Sequence, residues 1–350
     1  MRKTAQKSIL AGALALASCT ALVLGAGPAW GSGSPTVTIA AVGDTMLGNT
    51  PVLPAHPGTY LALVRDALSA PITFGNLEGT LTRATASKCG SGSSQCFAFR
   101  VPPSFAGYLR KAGFDVLNSA NNHSRDFGAQ GVRQTSAAMA AHGIAQTGLR
   151  GQIAVVHEGP LKVAFVGFAP YPNVSNLLDL TAAAAVIRKA DRRADLVVAY
   201  MHAGAEGASQ THVTGREEFF LGEDRGNPEK FAHMAVRQGA DLVIASGPHV
   251  LRGMELYRHR LIAYSLGDFA SYHNFNTDGV LGLSAVLRVT LGPTGWFRDG
   301  RIVSVKLNGE GRPGHDRSGA AAHLIARLSK EDFGARGVRV LAHGRIVTGS

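Results

Sequence analysis

Three cysteines in 350 residues are too few for a four-thiolate metal site. No period of about 20–50 residues repeats, which excludes solenoids and propellers. Arginines are scattered and no run interleaves them with aromatics, so no nucleic-acid partner is expected despite a formal net charge of +11. No linker is long enough to separate two domains. One domain is therefore expected over residues 36–345, after a short linker at 30–35.

A long uncharged apolar run occurs near the start. Arg2, Lys3 and Lys7 precede Ile9–Leu24, and small residues surround Ala26 to Ala29. That pattern reads as a signal peptide over residues 1–29; the run is too short and too rich in small residues for a membrane span. Leu16-Ala17-Ser18-Cys19 also matches a lipobox, which would make Cys19 a lipid-anchored N-terminus. Cleavage near Ala29 and lipidation at Cys19 both place the protein outside the cytoplasm, secreted or on the cell surface. In an oxidising compartment Cys89 and Cys96, which flank Gly90–Gln95, are expected to form a local disulfide; a metal clip or two free thiols are the alternatives.

From Thr36 onward strand-like and helix-like runs alternate, the signature of an α/β protein with a largely parallel sheet. Helices are expected over Tyr60–Leu68, Pro103–Lys111, Gln130–Ala141, Thr181–Ala190, Pro228–Gln238 and Ala320–Leu328. Hairpins are expected around Glu158-Gly159-Pro160 and Arg258-His259-Arg260. The last twenty residues carry little signal.

Five apolar runs end directly in metal-ligand or acid/base side chains. The first reaches Gly43-Asp44, the second Asn76-Leu77-Glu78, and the third Asn121-Asn122-His123-Ser124-Arg125-Asp126. The fourth reaches His202-Ala203-Gly204-Ala205-Glu206 and the fifth Gly247-Pro248-His249. Because α/β folds bind ligands beyond the carboxyl ends of their strands, these clusters are expected to converge on one site. Carboxylates, amides and imidazoles suit a hard or borderline divalent cation such as Mn, Fe or Zn, at one or two sites. His123 is placed for proton transfer, with Asp126 either orienting its ring or capping the following helix. Asn76, Glu206 and Asp268 are candidates for the surroundings of the metal.

In this order the segments Gly-Asp-x-Met-Leu, Asn-Leu-Glu, Asn-Asn-His-x-x-Asp, His-x-Gly-x-Glu, Pro-His-Val and Tyr-Ser-Leu-Gly-Asp-Phe resemble the CapA-type family of capsule and poly-γ-glutamate synthesis proteins. That family looks like a branch of the calcineurin-like metallophosphoesterases. The resemblance implies a four-layer αββα sandwich of the metallophosphoesterase type. It also implies that Asp44 and His249 hold one metal, Asn122 and His202 a second, with Glu78 bridging and His123 as acid or transition-state stabiliser. The chain departs from the phosphoesterase pattern at Met46 and Gly247, where histidines are expected, so either Glu206, Asp268 or water compensates, or only one ion binds, or none.

These readings lead to an exported metal-dependent hydrolase acting on a phosphoester or amide bond in cell-envelope or capsule polymer metabolism. The alternative is a non-catalytic surface protein that binds or helps export an anionic polymer such as poly-γ-glutamate. Its partners would be an anionic polymer or phosphorylated substrate and membrane-bound capsule synthesis proteins.

Overall fold

A computed structural model of the chain describes residues 34–90 and 96–347. The leader, Cys19 and the first residues of the linker lie outside the described residues. Two mixed sheets face one another. In the first, Val37–Met46, Ile72–Leu77, Val116–Asn118 and Ala145–Thr147 run parallel. The long antiparallel strands Leu283–Leu291 and Phe297–Leu307 extend it on the other side of Val37–Met46. In the second, Leu161–Phe168, Leu196–His202, Leu242–Ser246 and Arg260–Ala263 are parallel, and a hairpin strand closes each edge.

The strands are apolar on both faces, as sheets covered on both sides must be. In Val37–Met46, Ile39 and Ala41 point into the space between the sheets, while Ala40 and Val42 point to the outer face. In Leu196–His202, Leu196, Val198 and Tyr200 point inward and Val197, Ala199 and Met201 outward. Phe74 of one sheet stacks on Phe165 of the other at 5.5 Å between ring centroids. The helices Phe105–Ala112 and Gly128–Ala141 cover the outer face of the first sheet, and Leu180–Asp191 and Pro228–Arg237 that of the second. The result is the four-layer αββα sandwich. Each fully buried aliphatic or aromatic side chain contributes about 1.5–3 kcal/mol, so the layers can support costly charged groups at their rim.

Local differences from expectation have physical causes. Tyr60–Leu68 is a run of short turns, with 3₁₀ segments at Pro57–Thr59 and Ala62–Val64 and a single α turn at Arg65–Leu68. Neither Leu61 nor Val64 offers a capping side chain there, and the segment is held instead by burial of Tyr60, Leu61, Val64 and Leu68. The C-terminal residues, which carry little sequence signal, add the strands Arg339–Val340 and Arg345–Val347 to the edge of the first sheet. Glu218–Phe220 and Glu223–Gly226 form a hairpin that the sequence reading passed over. The Cys89–Cys96 disulfide is formed, with Cα atoms 5.4 Å apart. No helix among the described residues is long and apolar enough to cross a membrane.

Candidate metal centre

Strand register assembles the site. In the first sheet Asp268, Asp44, Asn76 and Asn118 are successive partners across four neighbouring strands. In the second, His202 pairs with Ser246. All of these except Asp268 lie at the carboxyl ends of parallel strands, and Glu78 and His249 follow just beyond. Close backbone approach makes the row possible. A Cβ on Gly43 would lie 1.9 Å from the Gly267 carbonyl oxygen, while the Asp44 N–H donates to that same oxygen at 3.0 Å.

Asp44 is fully buried and its carboxylate is heavily bonded. Oδ1 accepts from Asn76 Nδ2 at 2.7 Å and from the Ser246 hydroxyl, and Oδ2 accepts from the Gly247 N–H at 3.1 Å. His249 Nδ1 lies 3.3 Å from Oδ2 and His202 Nδ1 3.7 Å from Oδ1. Burial would raise the Asp44 pKa, but the two imidazoles and the Ser246 hydroxyl together hold it well below the usual carboxylate range. Asp268 holds His249 Nδ1 at 2.8 Å and is pushed up to about 6, chiefly by burial. Glu78 is raised well above the ordinary value by burial and by the Asp44 charge. Burial drives His202 down to about 3, so it is a neutral imidazole. His249 is raised despite burial, because Asp268 and Glu78 surround it. Its backbone sits at φ 58°, a costly conformation for a residue with a side chain.

Ligand atoms of Asp44, Glu78, His249 and Asp268 all lie within 4.8 Å of one another. His202 Nε2 adds a fifth donor 3.6 Å from Glu78 Oε1. Both Glu78 carboxyl oxygens, Asp268 Oδ2, His202 Nε2 and Asn122 Oδ1 are buried without a hydrogen-bond partner among the described residues. Leaving such groups unpaired costs about 1–3 kcal/mol each, and a divalent cation satisfies several oxygens and an imidazole lone pair at once, where a single water donates to only two. The donor set therefore fits a divalent metal ion.

His123 stands beside this cluster. Its Nδ1 is 2.8 Å from Asp126 Oδ2, which also accepts from the Phe99 N–H at 2.6 Å, and Lys88 Nζ lies 2.7 Å from Asp126 Oδ1. Asp126 thus orients the ring; the following helix starts at Gly128 with no side-chain cap. Burial lowers the His123 pKa, and the Asp126 carboxylate opposes the shift. Asn121, between the two groups, donates to Asn76 Oδ1 and to the Leu77 carbonyl and accepts from the His123 N–H. Asn76, also ligated by Asn118 at 2.7 Å, is the hub that ties Asp44 to the His123 segment. Asn118, Ser246 and Tyr200, whose hydroxyl reaches Ser246 and His202, carried no sequence signal beyond their places at strand ends.

His123 and His249 open onto a cavity of about 460 Å³ that Asn122, Glu206 and Arg225 also line. A larger groove, about 800 Å³, between Phe297–Leu307 and the C-terminal helix contains none of the cluster. A second group, Glu229, His233 and Glu255, also has metal-ligand spacing, but its carboxylates are already ion-paired or hydrogen-bonded to Arg336, Tyr264 and His233. It is an internal ion-pair network.

The fold and the buried carboxylate–imidazole cluster define an αββα sandwich with a site at the strand ends. The chain belongs to the family described as bacterial capsule synthesis protein PGA_cap, whose model matches residues 38–273. It is 28% identical over 178 residues to the PGA biosynthesis protein CapA of Bacillus subtilis, covering 46% of this chain and 43% of that one. The capsule biosynthesis protein CapA of Bacillus anthracis is 28% identical over 183 residues, covering 46% and 41%. An uncharacterized Sinorhizobium fredii protein, y4sH, is 27% identical over 303 residues, covering 66% and 65%. The chain thus spans between about two fifths and two thirds of the length of these relatives. Among solved structures, a 5'-nucleotidase precursor from Thermus thermophilus aligns over 85% of this chain and 59% of its own, at 12% identity and TM-score 0.44. A Staphylococcus aureus putative 5'-nucleotidase aligns over 84% and 58%, at 15% identity and TM-score 0.43.

Proposed function

We propose that this protein is an exported, metal-dependent hydrolase of capsule or cell-envelope polymer metabolism, cleaving a phosphoester or amide bond. The observation that carries the reading is the set of partnerless buried donors of Glu78, Asp268, His202 and Asn122, placed beside the paired His123 and Asp126. Asp44, Glu78, His249 and Asp268 would hold a divalent ion, Mn, Fe or Zn, with His202 and Asn122 completing one site or forming a second. When bound, the ion supplies Lewis-acid polarisation of a phosphoryl or carbonyl oxygen and a nucleophile at neutral pH.

This chain's own residues do the rest. Asn76, Ser246 and the Gly247 N–H fix the Asp44 carboxylate, and His249 and His202 with the Ser246 hydroxyl keep it ionised. With Nδ1–H given to Asp126, neutral His123 presents its Nε2 lone pair, would take the proton that the attacking water gives up, and would pass it to the leaving group as the bond breaks while Asp126 steadies the imidazolium. Phe99 packs on the ring at 4.4 Å between centroids and holds its plane. The basic leader and the Cys89–Cys96 disulfide support export.

A second reading is a non-catalytic surface protein that binds an anionic polymer such as poly-γ-glutamate alongside membrane-bound capsule synthesis proteins. The net charge of +11 and the names of the Bacillus relatives favour it. Elemental analysis of the purified protein and of an Asp44→Ala/His249→Ala variant separates the two. Near-stoichiometric metal in the former alone is expected, together with turnover of a p-nitrophenyl phosphate or a γ-glutamyl anilide. His123→Ala should lower that turnover by about 10²–10⁴-fold with metal content unchanged. A protein that takes up no metal from Mn²⁺ or Zn²⁺ leaves only polymer binding.

A further inference from the structure

Arg225 is an unusual side chain for a cavity wall. It is 1% exposed and comes from the hairpin strand Glu223–Gly226, beyond the strand-end clusters. A buried guanidinium normally spends most of its five N–H groups on acceptors. Here both neighbouring carboxylates sit at one nitrogen: Nη1 is 2.8 Å from Glu206 Oε1 and 3.6 Å from Glu223 Oε2. Nε and Nη2 are buried and have no hydrogen-bond partner among the described residues. Those two nitrogens form the edge of the guanidinium that takes a carboxylate or phosphate through two parallel hydrogen bonds.

The edge is held rigidly. The rings of Tyr171 and Phe220 each lie 6.0 Å from the guanidinium carbon. The hairpin is anchored by buried Arg252, which bonds both oxygens of Glu218 at 3.0 and 2.7 Å. The Gly204 N–H donates to the Arg225 carbonyl at 3.0 Å, tying the hairpin to the loop after His202. Glu206 spans from Arg225 to the site, its other oxygen lying 3.7 Å from His249 Nε2. Lys88, another basic side chain of the cavity, is occupied by Asp126 and the Asn122 carbonyl. Among the described residues outside the metal cluster, Arg225 is thus the cavity's basic side chain with donors to spare, one carboxylate away from the candidate metal ligands. The aromatic rims Phe97, Phe220 and Phe275 give the space beside it an apolar wall.

We propose that Arg225 is the substrate-recognition residue of this cavity, taking an oxyanion of the substrate, carboxylate or phosphate, that is not part of the bond being cleaved. The inference rests on the hydrolase reading for the word substrate, but the binding site itself does not need the metal. It assigns to the hairpin Glu218–Gly226 the selection of acidic over neutral substrates.

Calorimetric binding of three ring-bearing probes, phenylacetate, phenylphosphonate and neutral phenylacetamide, tests it, with the protein both metal-loaded and chelator-treated. At least one acid should bind the chelated protein about tenfold or more tightly than the amide. Arg225→Gln should abolish that preference, and Arg225→Lys, a point charge without the fork, should restore only part of it. A tenfold preference for phosphonate would assign a phosphorylated substrate, and one for phenylacetate a carboxylate-bearing polymer. The proposal is overturned if the chelated wild type binds both acids no better than the amide, a result that does not depend on whether the variants fold. It is equally overturned if Arg225→Gln, folded by its melting curve, retains the preference. Elemental analysis of the same samples reads the metal centre separately, so the two readings fail independently.

Discussion

Replacing Asp268 by asparagine separates a metal ligand from a structural ion-pair partner. Asp268 Oδ1 lies 2.8 Å from His249 Nδ1, and breaking a buried pair by removing one charge ordinarily costs about 3–5 kcal/mol. The same nitrogen has a second carboxylate at hand, however: Asp44 Oδ2 at 3.3 Å. Asparagine also keeps an oxygen in place for the Nδ1–H and removes one of three crowded carboxylates. Without metal, Asp268→Asn should therefore cost less than about 1.5 kcal/mol, the net value of a typical hydrogen bond. A metal ion at a hundred times its Kd stabilises the wild type by about 2.7 kcal/mol, or about 5 °C in Tm for a chain of this size. If the variant binds about 10–100-fold more weakly, the same ion concentration contributes only about 0.4–1.4 kcal/mol, or roughly 1–3 °C. Differential scanning calorimetry of chelated protein with and without MnCl₂ or ZnCl₂ measures both numbers. A large loss without metal, combined with an undiminished metal-induced shift, would refute the reasoning.

Gly43→Ala should destabilise the fold by about 1–3 kcal/mol and displace Asp44, since its Cβ would sit 1.9 Å from the Gly267 oxygen; a urea midpoint equal to the wild type's would contradict the close approach. Asp241 is pushed up to about 6, first by burial and against the opposing bonds from Val197 N–H and Arg260, whereas an unfolded chain titrates it near ~3.9. A raised carboxyl pKa means the folded state binds the extra proton between those values, so this residue's contribution falls as pH rises and its full penalty is present above pH ~6. Asp241→Asn should accordingly gain about 2 kcal/mol relative to wild type on going from pH ~4.5 to ~7, read from urea curves at both; parallel curves would exclude the shift.

Much of this architecture is legible locally. Apolar runs that end in Gly-Asp, Asn-Leu-Glu or Pro-His announce buried parallel strands with polar tips, because both faces of such strands are covered and only their ends are free. Both tight hairpins read correctly for the same reason: Gly159-Pro160 and Arg258-His259 interrupt apolar strands, and Arg258 and His259 both adopt positive φ, 52° and 64°. What could not be read is decided by pairing across the sheets. The partnership of Asp44 with Asp268 joins residues far apart in sequence, and the bulge after Asp44 shifts the register, so spacing alone leaves Asp268 equally a turn carboxylate or a candidate beside the metal. Asn118 and Ser246 acquire meaning only when sheet order sets them against Asn76 and Asp44. Arg225 lies in a short exposed hairpin of mixed charge, where periodicity carries no information about a buried guanidinium.

The same pairing explains how a site without histidines at positions 46 and 247 keeps a full donor set. Gly247 has φ 116°, and a Cβ there would meet the Ala203 nitrogen at 3.1 Å; its backbone N–H is instead spent on Asp44. A side-chain ligand at that position would therefore be strained on this backbone. On the proposed metal centre the compensating ligand would be Asp268, which faces Asp44 in register on the neighbouring strand. Carboxylate in place of imidazole would harden such a site: Asp44, Glu78 and Asp268 would contribute oxygen, with His249 and His202 as nitrogen donors. Carboxylates favour Mn²⁺ relative to Zn²⁺, and imidazoles do the reverse. Asp268→His should therefore raise the ratio of Zn²⁺ to Mn²⁺ affinity measured by competition, even if both affinities fall. An unchanged ratio would take Asp268 out of the ligand set and leave the site with the donors of Asp44, Glu78, His202 and His249.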